Sequence, residues 1–224
     1  MSDVCLDHSA VGGQCSARRR LIILAAVAVL SIAAYLRAAT LPFIADDYVQ
    51  IWLGRLFAPI AGWKELAADP LYRCRSTSLL VTYWTERAFG LNPIVCNWSS
   101  IILHVFNTWL VFGLGLWRPI GWRLSAVAAG FFAVYAGHQE AVIWYSALPE
   151  LLVFFFSVAA FLSWVIWIER GGKLYIAAML VLFVLALLSK ESAVVLVPLM
   201  LLPIWFGKVG LRRWLGPWSA VAFL

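Results

Sequence analysis

Long apolar runs, interrupted at short intervals by arginine, lysine and glycine, dominate the chain. The first runs from Leu21 to Leu36 without a charge and follows Arg18-Arg19-Arg20. A helix that crosses a bilayer takes ~20 mostly apolar residues, fewer where protein shields its ends. Six such helices are expected, over Leu21–Ala39, Pro93–Trp117, Leu124–Ala136, Glu150–Ile168, Leu174–Ser189 and Ala193–Phe206, with an incomplete seventh from Trp214 onward. The third is short, and a continuation past His138 is open to it.

One long loop, Thr40 to Asn92, separates the first two runs. Loops of that length often carry function. Within it, Trp52 to Phe57 and Ser78 to Phe89 mix apolar residues with Arg, Glu or Gly, which suits amphipathic helices lying on a membrane surface. Gly90-Leu91-Asn92-Pro93 then breaks the second of these and opens the next span, proline being tolerated in a first helical turn. The domain plan is a tail over residues 1–20 and a transmembrane domain over 21–224 that includes the loop 40–92.

Lysine and arginine counts orient the spans. With the N-terminus in the cytoplasm, the inner segments hold Arg18, Arg19, Arg20, Arg118, Arg123, Arg170, Lys173, Lys208, Arg212 and Arg213, ten of the 17 basic residues. The short outer loops hold only Lys190, and the rest fall in the long outer loop or at its edge. Composition agrees: 64% of residues are hydrophobic, 12% are charged and the mean hydropathy is +0.90, far from a soluble domain. The expected fold is therefore an all-α, polytopic helical bundle of about six to seven spans, in a plasma or inner membrane. A net charge of +6 would suit nucleic acid in a soluble chain. Here the basic residues lie between apolar runs as topology signals, so no nucleic-acid partner is expected. The 13 tryptophans and 7 tyrosines suit anchoring at the bilayer interface.

Cys5, Cys15, Cys74 and Cys96 have no metal-site spacing and imply no disulfide framework. The first apolar run has the basic flank of a signal peptide, but its length and the bulky Tyr35, Leu36 and Arg37 favour an uncleaved anchor. The final residues, Ala220 to Leu224, read as the opening of another helix, as in an N-terminal portion of a longer protein.

The candidate chemistry gathers on the outer side. Asp46-Asp47 follows the first span, Arg73 and Arg75 close the long loop, and His138 and Glu140 end the third span. Glu150 starts the fourth span, and Lys190-Glu191 forms the hairpin between the fifth and sixth. Ionisable groups at a bilayer cost several kcal/mol unless paired or hydrated, so each is a functional candidate. Each also has a plain reading. Asp46-Asp47 would cap the Tyr48–Phe57 helix, Arg73 and Arg75 would bind lipid headgroups, and His138 with Glu140 would form a wet loop. Lys190 sits at the hydrocarbon edge, in a local ion pair or against a lipid phosphate. His104 and Asn107, within the second span, read as an interhelical hydrogen-bonding pair.

Taken in order, these motifs resemble GT-C glycosyltransferases, in particular protein O-mannosyltransferase-like enzymes and tetratricopeptide-carrying transmembrane mannosyltransferases. The similarity runs through most of residues 20 to 203. It is carried by Asp46-Asp47, Tyr72-Arg73, Gly90-Leu91-Asn92-Pro93, Asn97, His104, Asn107, His138, Glu140-Ala141-Val142, Trp144 and Leu187-Leu188-Ser189-Lys190-Glu191-Ser192. Three motifs depart from the family pattern. Cys74 replaces the proline of Tyr-Arg-Pro, Tyr135-Ala136 replaces His-Pro, and Leu148 stands where an arginine is common.

The resemblance implies inverting transfer of a sugar from a polyprenyl-phosphate donor to an extracytoplasmic protein or glycan acceptor. Asp46 or Asp47 would be the base. Arg73, Arg75, His138, Glu140, Lys190 and Glu191 would contact substrate, the cations facing the departing phosphate. Some members use a divalent cation, for which Asp47, His138 and Glu140 are candidate ligands; others need none, and the metal stays open. Two other function classes also stand. A transporter or lipid flippase would place ionisable groups near the midplane in paired halves. A non-catalytic scaffold would tolerate loss of the outer charges.

Overall fold

The computed structural model describes residues 16–203 together with Ser219 and Val221, and the statements below refer to these. All their regular structure is helical: α1 (Ala17–Tyr35), α2 (Ala45–Phe57), α3 (Trp63–Ala68), α4 (Ser76–Phe89), α5 (Pro93–Gly113), α6 (Gly121–Val134), α7 (Gln139–Ile143), α8 (Leu148–Arg170), α9 (Lys173–Leu187) and α10 (Leu196–Leu199). Helices α1, α5, α6, α8 and α9 alternate in direction as a bundle in which α5 packs against α1, α6 and α8, α6 also against α1, and α9 against α8. The short helices α2, α3, α4 and α7 gather at one end of it.

Cross-links between the helices show this antiparallel order. The Trp109 indole donates to the Leu24 carbonyl (3.0 Å), tying the end of α5 to the start of α1. Toward the other end, Asn97 Nδ2 donates to the Leu41 carbonyl (2.9 Å) and Tyr35 Oη to the Tyr135 carbonyl (3.0 Å). Between α8 and α9 the chain turns at Gly171-Gly172, both with positive φ (73° and 105°), a conformation glycine adopts without strain. A large apolar cluster lies here, with Trp164 stacked on Trp167 and packed with Met179, Phe183 and Met200.

Polarity is distributed inside out. Val127, Leu174 and Leu21 are 72%, 77% and 68% exposed, whereas Ser31, Ser100, His104, Asn107 and Thr108 are fully enclosed. In hydrocarbon, polar groups must find partners within the protein. Ser31 meets Thr108 at 3.1 Å, Asn107 Nδ2 donates to the Leu151 carbonyl (3.0 Å), and His104 Nε2 reaches the Ala133 carbonyl (3.3 Å). His104 and Asn107 thus bond across helices, as the sequence suggested. Such bonds add on the order of 0.6 kcal/mol each in a membrane.

Three stretches, Ala17–Thr40, Pro93–Leu116 and Tyr145–Arg170, are long and apolar enough to cross a bilayer, which marks a membrane protein. Helices α6 and α9 are apolar but hold 14 and 15 residues. They rise only ~21–23 Å against a hydrocarbon core of ~30 Å. The third expected span does not run past His138: α6 ends at Val134, and a 3-10 turn leads into α7.

The sixth expected span, Ala193–Phe206, is not one continuous helix where it is described. Glu191–Val195 forms a 3-10 turn and α10 is a single turn around Pro198, whose missing N–H removes a helical hydrogen bond. Residues 204–206 and the seventh span from Trp214, apart from Ser219 and Val221, lie outside the described residues.

Both expected amphipathic helices exist, α2 starting earlier than Trp52 and α4 at Ser76; the intervening α3 was not expected. The first two cross closely at Gly54. A side-chain carbon there would lie 3.3 Å from the Leu79 carbonyl oxygen and 3.4 Å from Thr82. Arg55 and Glu86 form an ion pair beside the crossing. Gly54→Leu should therefore push α2 off α4 and cost about 1–3 kcal/mol, read as a lower melting temperature of the detergent-solubilised chain. An unchanged melt would show that the crossing is not tight.

Candidate functional site

The site is built from the first turn of α2 outward. The backbone enters this helix from an extended Ile44. Asp47, at the third helical position, is 3% exposed. Its Oδ2 accepts from the Ile44 N–H (3.0 Å) and its Oδ1 from the Ser146 N–H (2.8 Å). One carboxylate thus caps α2 and fastens the turn before α8 to it. The sequence allowed the pair as an N-cap before Tyr48; the helix instead starts at Ala45 with Ile44 at its N-cap, and Asp47 serves from the third helical position, reaching Ser146 across 99 residues of chain as well.

Asp46 is exposed and lines a cavity of about 250 Å³ with Gln50, Tyr72, Arg75, Trp144 and Ser146 among its walls. That volume is near the lower bound of small-molecule sites, ~300 Å³. Three segments distant in sequence form it: α2, the turn before α4 and the 144–147 strip. Arg75 thus shares the cavity with Asp46, and no ion pair joins them. Arg73, two residues earlier, is exposed and is not among the lining residues.

Lys190 pairs with Glu150 at the start of α8, not with adjacent Glu191, which is exposed. The hairpin is held from the other side by α4. The Thr77 N–H donates to the Leu188 carbonyl (3.1 Å), and its hydroxyl lies 2.6 Å from that of Ser189. Thr77 is two residues beyond Arg75, and Glu150 is four beyond Ser146. Asp47 is thus bonded to the strip that leads into α8, whose first turn holds Lys190 through Glu150, but neither Lys190 nor Glu191 is among the residues that line the cavity.

His138 turns the other way. It packs with Phe132, Tyr135 and His104 (ring centroids 4.2, 5.2 and 5.7 Å apart), and its Nδ1 lies 3.3 Å from the Phe132 carbonyl. Burial holds this imidazole below its ordinary pKa, the carbonyl opposing the shift. Glu140 is exposed. The expected metal ligands Asp47, His138 and Glu140 are thus not gathered, and among the described residues no three His, Cys, Asp or Glu side chains could hold an ion together. The physical reason is that the Asp47 oxygens are taken by backbone N–H groups while His138 faces the aromatic interior. Cys74 and Cys96 are free thiols.

Sequence reasoning missed Gln50 and Ser146 as site residues. Gln50 lies one helical turn beyond Asp46, a spacing that would have found it; Ser146 contributes a backbone N–H, which no side-chain pattern reveals. No protein-family model and no curated protein matches this chain.

The two aspartates should separate cleanly. Asp47→Ala leaves the Ile44 and Ser146 N–H groups unpaired and should cost about 1–3 kcal/mol, lowering the melting temperature. Asp46→Ala should leave it unchanged; equal melts would refute the division.

His138 should add a pH dependence. Its folded pKa lies below the unfolded one, so the stability it gives is present above the ordinary imidazole value of ~6.5 and is lost as pH falls from there through the lower folded value. His138→Phe should flatten the fall in melting temperature on acidification. A slope equal to wild type would assign the effect elsewhere.

Proposed function

We propose that the chain is an integral-membrane glycosyltransferase of the GT-C type, moving a sugar from a polyprenyl-phosphate donor to an extracytoplasmic acceptor. The observation that carries this reading is the cavity that holds Asp46 and Arg75 without an ion pair, at one end of an apolar bundle. A lipid-linked donor requires such a place, because its polyprenol stays in hydrocarbon while its phosphate and sugar stay at the polar rim. The resemblance to GT-C enzymes in the order of motifs supports the same reading. In it the bundle crosses the membrane six to seven times with its N-terminus in the cytoplasm, and the cavity opens on the far side.

The chemistry divides among the residues as follows. The Asp46 carboxylate takes the proton of an acceptor hydroxyl as its oxygen bonds to the anomeric carbon. The bond from that carbon to the phosphate oxygen breaks on the opposite face, which inverts the centre. The phosphate leaves with the bonding pair, and Arg75 stabilises its growing charge. Asp47 positions Asp46 and the 144–147 strip and does not act as base, since it is buried, held by two backbone N–H groups and not among the residues that line the cavity. Lys190, neutralised by Glu150, supports the rim. No step runs through a metal, because the candidate donors are not gathered.

Asp46→Asn should lower transfer of radiolabelled sugar from undecaprenyl-phosphate donors in membranes by about 100-fold or more, with the melting temperature unchanged. Full transfer by that variant would overturn the assignment. Sugar-lipid flux across proteoliposomes without glycosylated product would replace it with a transporter.

A further inference from the structure

Gln50 is 3% exposed, lies four residues after Asp46 on α2, and lines the same cavity. Its Nε2 lies 3.3 Å from Ser78 Oγ and 3.3 Å from Thr82 Oγ1, both on α4. The orientation of its amide follows from counting protons. Ser78 Oγ donates to the Arg75 carbonyl at 2.9 Å, and a hydroxyl has one proton. Toward Gln50, then, Ser78 accepts, so the group facing it is the amide NH2. The carbonyl end is turned away from α4, and no described residue donates to it.

The cavity therefore presents two acceptors from one helix face, the Asp46 carboxylate and the Gln50 carbonyl, with Cβ atoms ~5–6 Å apart at this spacing. Paired acceptors suit paired O–H donors, as on adjacent carbons of a sugar ring, better than a lone alcohol. Trp144 and Tyr72 add aromatic surface to the same walls, against which the C–H face of a pyranose packs.

We propose that Gln50 reads carbohydrate: its side-chain carbonyl accepts from one hydroxyl of a sugar whose neighbouring hydroxyl is held by Asp46. This rests on the reading of the cavity as a glycosyl-transfer site, and it holds for a hydroxyl of either the donor sugar or an acceptor glycan.

The first measurement needs no reaction. Saturation-transfer NMR with methyl α-mannoside and methyl α-glucoside, on the full chain in nanodiscs, should show binding that weakens about tenfold in Gln50→Met, the loss of roughly one neutral hydrogen bond. Gln50→Glu keeps an oxygen at the cavity and should bind better than Gln50→Met. A merely structural role predicts the reverse order, because both variants lose the donations to α4 but only the carboxylate buries a charge there, while methionine keeps the packing; melting temperatures would follow that reversed order. No glycoside binding by wild type, or equal binding by wild type and Gln50→Met, would overturn the inference.

Glycoside binding lost in Gln50→Met while Asp46→Asn keeps full transfer would uphold the sugar site and sink the catalytic reading instead. In transfer from undecaprenyl-phosphate mannose, a raised KM for the lipid places the hydroxyl on the donor. A raised KM for the acceptor places it on the acceptor glycan.

Discussion

The arrangement depends on one buried carboxylate. Asp47 receives the N–H of Ile44 at the mouth of α2 and the N–H of Ser146 just before α8. Without it, the first turn of α2 would have unpaired donors, and the 144–147 strip would have no fixed relation to the helix it faces. The cavity wall is made by these two segments. A hydrogen bond to a charged acceptor contributes ~1.5–3 kcal/mol, which adds to the packing of the buried Tyr145 against Cys96, Leu148 and Leu152 in fixing the strip.

The rest of the bundle follows the same rule at lower charge. In an apolar surrounding, a polar group that is not satisfied by the protein is costly. Ser31, Asn97, His104, Asn107, Thr108 and Trp109 therefore turn inward and join neighbouring helices through hydroxyls or carbonyls. Aliphatic side chains such as Leu21, Val29, Leu124, Val127 and Leu174 on α1, α6 and α9 point outward. Ionised groups are excluded from this interior and collect at the helix ends. The chemistry of the chain is concentrated at the rim for that reason, apart from any catalytic purpose.

The apolar runs made much of the bundle legible. Helices α1, α5 and α8 were found to within a few residues because a spanning helix writes its length directly as hydropathy. Asn92-Pro93 marked the start of α5, where the Asn92 side chain does accept from Ile94 N. The sixth run was misread because hydropathy records burial in hydrocarbon and not backbone geometry: Ala193 to Leu202 is apolar but folds as separate turns. At the site, the sequence brought out Asp46, Arg75 and Lys190 but not their partners. Lys190 pairs with Glu150 across 40 residues of chain, and no local spacing distinguishes that carboxylate from adjacent Glu191. His138 looked like a rim ligand because the aromatic nest of Phe132 and Tyr135 that draws it inward exists only once α6 ends and the chain turns.

Helical geometry explains why the acidic residues come as a pair. Successive side chains on an α-helix diverge by about 100°. Two adjacent carboxylates in a first turn cannot face the same way: if one is drawn under the helix to meet backbone N–H groups, the next must look out. Here the second residue, Asp47, is drawn under, and Asp46 is left at the cavity with Gln50 one turn further along the same face. A single aspartate would have to choose between fixing the wall and serving the cavity. The doublet separates those tasks, and Gln50, itself buried, brings a second acceptor to the same cavity wall one turn further on. A carboxylate at the cavity wall is open to a ligand, whereas the buried one is shut away from it.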